Sequence, residues 1–315
     1  MARSFIFPGQ GSQVVGMGQD LYATFAEARE VFQEIDESLG QNLSKLMFEG
    51  PEEDLNLTEN TQPALMAVSM AVMRVLQKQG GIDLAKAAQF VAGHSLGEYA
   101  ALTAAGSFTI ADAARLLKLR GQAMQKAVPV GIGSMAAILG PSFEDVQRIA
   151  ADAAGDEICT AANDNSVGQV VVSGHKEAVA RAVEIAAQRG AKRAVVLPVS
   201  APFHCALMGP AAEAMEEALA ATAIKSPVVP VVANVTARAA QDPDEIRKLL
   251  VDQVTGMVRW RESVLWMKNQ GVSEMVELGA GKVLCGLVRR IDRDIECANA
   301  GTPEEIETLI SKLKG

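Results

Sequence analysis

Aromatic residues fill only 4% of the 315 positions, histidine occurs three times and cysteine four times. No apolar run reaches membrane-spanning length. The richest, 63–76, is broken by Ser69 and Arg74 and reads as a buried helix capped near Thr61. Cys159, Cys205, Cys285 and Cys297 are scattered, with neither C-x-x-C nor zinc spacing, so free thiols in a reducing cytosol are expected. The net charge of −9 argues against a nucleic-acid binder, and an acidic partner would need a local basic patch. Met1-Ala2-Arg3-Ser4 leads directly into a strand, leaving no room for a signal peptide, so a cytoplasmic protein is expected. What the chain has in quantity is Ala, Val and Leu. With 49% hydrophobic residues it reads as an ordinary soluble globular protein, either two domains or one domain with an insert.

Strands alternate with helices at both ends of the chain. Ser4–Phe7 is an apolar strand, helical patterns follow through about Leu39 and from Pro63 to Gln79, and Gln89–Ala92 is a second short strand. That order predicts a parallel sheet wrapped by helices. The middle differs. Strands at Met135–Leu139, Ile158–Ala162, Gln169–Ser173 and Ala194–Val199 are interleaved with helices at Ser142–Ala154 and Lys176–Arg189. This β-α-β-β-α-β order is that of a ferredoxin-like unit, bracketed by Pro129-Val130-Gly131-Ile132-Gly133 and Val199-Ser200-Ala201-Pro202. The expected division is therefore a large α/β domain, 1–127 and 199–315, with a small α+β domain inserted at 128–198.

Gly93-His94-Ser95-Leu96-Gly97 is a G-x-S-x-G pattern between the second strand and a small-residue helix. A serine on such a turn has its hydroxyl lifted clear of the sheet, and the Leu96 N–H points where an oxyanion would form. A serine nucleophile needs a base. His94 lies inside the elbow and points away from its neighbour, and His175 opens a helix in a solvent or capping role. His204 is left, following the serine in the chain order of α/β-hydrolases. No acid between Ser95 and His204 is marked by its context as a third member, so a dyad is possible.

Ala113, Leu117, Arg120 and Met124 recur at helical spacing, which puts Arg120 on a buried stripe. It is either an arginine snorkelling at the stripe's edge or a buried guanidinium awaiting an anion. With a serine and a histidine, the second reading points to an acyl group that ends in a carboxylate. Two phosphate-loop look-alikes fail: Val14 and Leu21 stand where G-x-G-x-x-G needs glycine, and Val276 and Val283 break a P-loop at Gly279-Ala280-Gly281-Lys282.

Phe7-Pro8-Gly9-Gln10-Gly11-Ser12-Gln13, Thr61-Gln62-Pro63-Ala64-Leu65, Gly93-His94-Ser95-Leu96-Gly97-Glu98, Ser200-Ala201-Pro202-Phe203-His204 and 277–284 together resemble the malonyl-CoA:acyl carrier protein transacylases, free-standing enzymes of bacterial-type fatty acid synthesis. The motifs run in the family's order over almost the whole chain. The resemblance implies a hydrolase-like core with a ferredoxin-like insert, Ser95 as nucleophile and His204 as general base. It implies an oxyanion hole of the Gln10 and Leu96 N–H groups, Arg120 on the malonyl carboxylate, and the Gln253 carbonyl orienting the histidine. It implies malonyl-CoA and acyl carrier protein as substrate and partner, with phosphopantetheine carried by the partner and no cofactor. A monomer is expected. Ala280 departs from the family, where many members carry proline, and should affect loop rigidity more than chemistry. Leu96 and the Phe203-His204 pair resemble malonyl selectors. Because carrier proteins are acidic, Lys192, Arg193, Lys282, Arg289 and Arg290 are candidates for a basic rim. Rival readings are a serine thioesterase or esterase, a related acyltransferase of polyketide synthesis or malonate decarboxylation, and a non-catalytic binding protein of this fold.

Overall fold

The computed structural model describes residues 2–199 and 201–314; Met1, Ser200 and Gly315 lie outside the described residues. Among the described residues ten strands form two sheets: β1 (Arg3–Phe7), β2 (Phe90–Gly93), β3 (Gly133–Leu139), β4 (Cys159–Ser166), β5 (Gln169–His175), β6 (Arg193–Val196), β7 (Val231–Ala233), β8 (Arg238–Ala240), β9 (Glu274–Leu278) and β10 (Glu296–Ala300). The larger has the order β10-β9-β1-β2-β7-β8, parallel except for β8. β2 is buried along its whole length, as its unbroken apolar sequence requires of a central parallel strand. The smaller sheet, β4-β5-β3-β6, is antiparallel throughout, and the helices Phe143–Ala154 and Lys176–Gln188 share a separate core with it. The chain is thus a mixed α/β protein, as its pattern predicts.

Three local expectations change. The apolar helix begins at Thr58 rather than Thr61 and carries Pro63 inside it. Its early start is supported from outside, since the Glu59 N–H donates to Gln125 Oε1 at 3.3 Å, a partner local sequence does not reveal. β4 runs on to Ser166, because Asp164 N–H and Val258 N–H exchange hydrogen bonds with Val258 O and Ala162 O, each at 2.9 Å. This bridge, with an ion pair at 2.8 Å between buried Asp164 and Arg261, ties the small sheet to the segment entering the helix Trp260–Asn269. The third is a correction. Cys285 and Cys297 were expected as free thiols but form a disulfide, their Cα atoms 5.4 Å apart. The helix Val283–Ile291 and β10 pack side by side, which no cysteine spacing could foretell. Cys159 and Cys205 are free, as expected, and both are buried.

Candidate active site

β1 and β2 are parallel neighbours, so the loops leaving their C-terminal ends emerge together. After β2 the chain turns sharply at Ser95, whose φ of 53° and ψ of −110° are a strained pair for a residue with a side chain. Gly93 and Gly97 make that turn possible. A Cβ on Gly93 would run into the Gly97 carbonyl, and one on Gly97 would run into Phe7 O beneath the elbow. Asn234, just past β7, fixes the turn from the other side. Its Oδ1 accepts from Ser95 N–H at 2.8 Å and its Nδ2 donates to Gly93 O at 2.7 Å.

Ser95 Oγ lies 2.9 Å from His204 Nε2. His204 Nδ1 faces two carbonyls, Gln253 O at 2.9 Å and Gly256 O at 3.1 Å. A carbonyl can only accept, so Nδ1 carries the proton and Nε2 is left to accept from the serine. Gln253 sits in the last turn of the helix Pro243–Thr255, where carbonyls have run out of intrahelical donors. The negative end of that helix stands where a hydrolase has its acid, and it favours the imidazolium that forms in turnover.

His204 is only 4% exposed. Burial, and then the charge of Arg120, push its pKa down to about 3. The imidazole is therefore a neutral base throughout the ordinary pH range. We expect kcat/KM for acylation to show no loss near pH 6.5 as pH falls; a limb at that pH would mean a solvated His204. For folding, the His204 contribution is complete above its unfolded value near 6.5 and is lost as pH falls toward 3. Glu98 and Glu277, raised by burial from 4.5 to about 7, act oppositely: their contribution is complete below 4.5 and lost as pH rises through 7.

Arg120 is 1% exposed on the helix Ile110–Ala127. It is not at the edge of its stripe. Nη1 donates to Gln62 Oε1 at 2.8 Å, and Nη2 donates to Gln253 Oε1 at 2.9 Å and to Ser95 Oγ at 3.1 Å. Its Nε–H has no partner among the described residues. Tyr99 lies against the guanidinium, 5.7 Å from ring centroid to Cζ. Among the described residues this fully buried cation has no carboxylate in hydrogen-bond contact, and it stands beside the candidate nucleophile.

These groups open on a cleft of about 470 Å³ also lined by Gln10, Leu96, Leu197, Val199 and Phe203. Gln10 sits in the loop after β1, with its side-chain Nε2 donating to Thr58 Oγ1 at 3.3 Å. Leu96 begins the helix Leu96–Ala104. Gly9 presses that loop against the elbow so closely that a Cβ there would stand 2.6 Å from His94 O. His94 is turned to Asn165, Nε2 to Oδ1 at 2.8 Å, and His175 Nδ1 accepts from Ile158 N–H at 2.9 Å, so neither competes for the serine. The basic candidates do not gather at the cleft. Among the described residues lining it, Arg120 is the sole arginine or lysine. Lys282 pairs with Glu305 at 3.2 Å, Arg290 donates to Gln169 Oε1 at 2.7 Å, and Lys192 lines a separate depression with Arg148 and Arg189. Glu98, Asn234 and Gln62 also bond into the site, and no local pattern marks any of them with a role. Their signal was present only as membership of apolar or motif segments.

The model of the acyl transferase domain matches residues 4–302. The chain belongs to the acyl transferase family. The malonyl CoA-acyl carrier protein transacylase of Escherichia coli K12 is 49% identical to this acyl transferase over 91% of the chain and 92% of its own length. The crystal structure of the acyl-carrier-protein-S-malonyltransferase from Bartonella henselae superposes with a TM-score of 0.98 at 55% identity, covering 100% of both chains. A type II PKS acyl-carrier protein in complex with its malonyl-transacylase matches at a TM-score of 0.96 and 43% identity, over 99% of this chain and 100% of that one.

Proposed function

We propose that this acyl transferase moves the malonyl group from malonyl-CoA to the phosphopantetheine thiol of acyl carrier protein, supplying fatty acid elongation. The observation that carries the reading is the buried Arg120 guanidinium 3.1 Å from Ser95 Oγ. A malonyl group esterified to that oxygen can turn its far carboxylate back onto the arginine, and the names and close similarity of the relatives support the same acyl group and carrier.

In the first half-reaction Ser95 Oγ attacks the thioester carbonyl while its proton passes to His204 Nε2. The carbonyl oxygen becomes an oxyanion facing the Gln10 and Leu96 N–H groups, each such donor being worth about 3 kcal/mol. The carbon–sulfur bond then breaks, the CoA sulfur takes the proton from His204, and a malonyl ester remains on Ser95. In the second, the phosphopantetheine thiol gives its proton to His204, attacks the ester and leaves with the malonyl group, and the proton returns to Ser95. One covalent intermediate shared by two half-reactions makes the kinetics ping-pong. The reaction calls for no cofactor, and the enzyme acts as a cytoplasmic monomer. Residues 128–198 form an inserted ferredoxin-like domain on a hydrolase-like core. The strand order β4-β5-β3-β6, with both helices on one core, supports this division.

Intact mass after mixing with malonyl-CoA tests the reading. A gain of one malonyl group that discharges onto holo carrier protein is expected. An adduct that decays to free malonate with or without carrier protein would make the enzyme a hydrolase instead. Lys192, Arg193, Lys282, Arg289 and Arg290 do not line the cleft, so a role in carrier-protein docking would leave the acylation chemistry untouched. Their charge reversal should slow the second half-reaction severalfold at low salt and leave acylation by malonyl-CoA intact. Equal slowing of both half-reactions would count against the docking role.

A further inference from the structure

Glu98 is 2% exposed in the first turn of the helix that follows Ser95, and it makes or breaks no bond in the proposed reaction. Two hydrogen bonds end on the same carboxylate oxygen. Oε2 accepts from the Asn234 backbone N–H at 2.9 Å and from Gln253 Nε2 at 2.8 Å. The other end of the Gln253 amide, Oε1, accepts from Arg120 Nη2 at 2.9 Å. A guanidinium only donates, and this carboxylate oxygen only accepts. The amide between them therefore has one orientation that satisfies both neighbours.

We propose that Glu98 is a positioning residue: its Oε2 fixes the Gln253 amide, which aims the Arg120 guanidinium and so sets the preference for an acyl group ending in a carboxylate. The inference rests on the proposed malonyl transfer. Glu277, a buried carboxylate on β9, shows the contrast. Glu277 accepts from the Leu284 and Cys285 backbone N–H groups at 3.1 and 2.8 Å, so these bonds hold only a helix start. The chain of bonds from Glu98 ends on the substrate-reading cation. Burial raises the Glu98 pKa to about 7, so both protonation states occur near neutrality. In either state Oε2 remains an acceptor, with any proton on Oε1. The oxygen, rather than the charge, holds the amide, beside Ser95 O, which accepts from the same Nε2 at the longer distance of 3.1 Å.

Two substitutions separate the oxygen from the charge. Glu98→Met keeps the length and removes the acceptor; Glu98→Gln removes the charge and keeps an oxygen at the Oε2 position. The measurement is kcat/KM for malonyl-CoA and acetyl-CoA with holo carrier protein, using the full chain. Glu98→Met should lower the malonyl-to-acetyl ratio about tenfold, chiefly through KM for malonyl-CoA, and Glu98→Gln should keep the ratio within about twofold of wild type. A folded Glu98→Met enzyme with an unchanged ratio overturns the proposal, as does a Glu98→Gln enzyme as impaired as Glu98→Met. If Glu98→Met does not fold, Glu98→Asp, which draws the acceptor back by one methylene, takes its place, and an unchanged ratio there overturns the proposal equally. A wild type without malonyl preference would instead refute the proposed function. In that event a crystal structure of the variant decides the positioning role by whether Gln253 and Arg120 have moved.

Discussion

Replacing Ser95 by alanine is expected to cut malonyl transfer by about five orders of magnitude and to abolish the covalent adduct, while the protein stays folded. The loss is large because both half-reactions pass through the Oγ atom, and among the described residues lining the cleft there is no second hydroxyl or thiol to form the ester. Among the described residues His204 has no other hydroxyl in hydrogen-bond contact to activate, and its remaining ring nitrogen is engaged with Gln253 O and Gly256 O. Stability should change by less than about 1 kcal/mol. Asn234 holds the elbow through the Ser95 backbone N–H, which alanine keeps, and Oγ faces the open cleft, where water can replace it. Intact mass, transfer rate and thermal midpoint check this together. An adduct that persists in Ser95→Ala would move the nucleophile elsewhere.

Arg120→Ala should lower kcat/KM for malonyl-CoA by about two to three orders of magnitude and leave acetyl transfer within about tenfold, so that the preference collapses. A charge-assisted contact to the carboxylate is lost, and an uncharged acyl group never made it. The fold pays as well. Gln62 Oε1 and Gln253 Oε1 lose their donor in a buried setting, at a cost of about 3 kcal/mol together with the cavity left behind. Lysine should not rescue the enzyme, because a single ammonium cannot reach Gln62, Gln253 and the substrate in the planar arrangement of a guanidinium. A further effect is expected on water. Arg120 keeps the acyl chain turned so that no water lies in line with His204, and its loss should raise hydrolysis relative to transfer. Equal losses for malonyl and acetyl would show that Arg120 is structural only.

Much of this site could be read from local sequence. The elbow was legible because strand, glycine, serine, glycine and helix are consecutive, and their close contacts follow from covalent geometry. Arg120 was legible as part of a buried stripe because helical periodicity places it with Ala113, Leu117 and Met124, but the choice between a snorkelling and a buried guanidinium needed the tertiary packing. His204 followed by elimination among three histidines. The missing acid could not be resolved this way. A backbone carbonyl has no residue type, so the Gln253 role came only through resemblance, and the structure adds a second carbonyl from Gly256.

The tertiary structure alone decided the contacts between distant segments. Gln253 and Arg120 are 133 residues apart on two different helices, and Asn234 and Ser95 are 139 apart; the second pair meets because β7 is laid beside β2. Glu98 looked like one more polar residue on a small-residue helix until that packing buried it. The Cys285–Cys297 pair and the dispersal of the basic candidates away from the cleft were hidden for the same reason. Periodicity and local sterics act within a few residues and can be read along the chain. Hydrogen-bond partners and burial depend on which elements are neighbours, and that is fixed only when the sheet order is chosen.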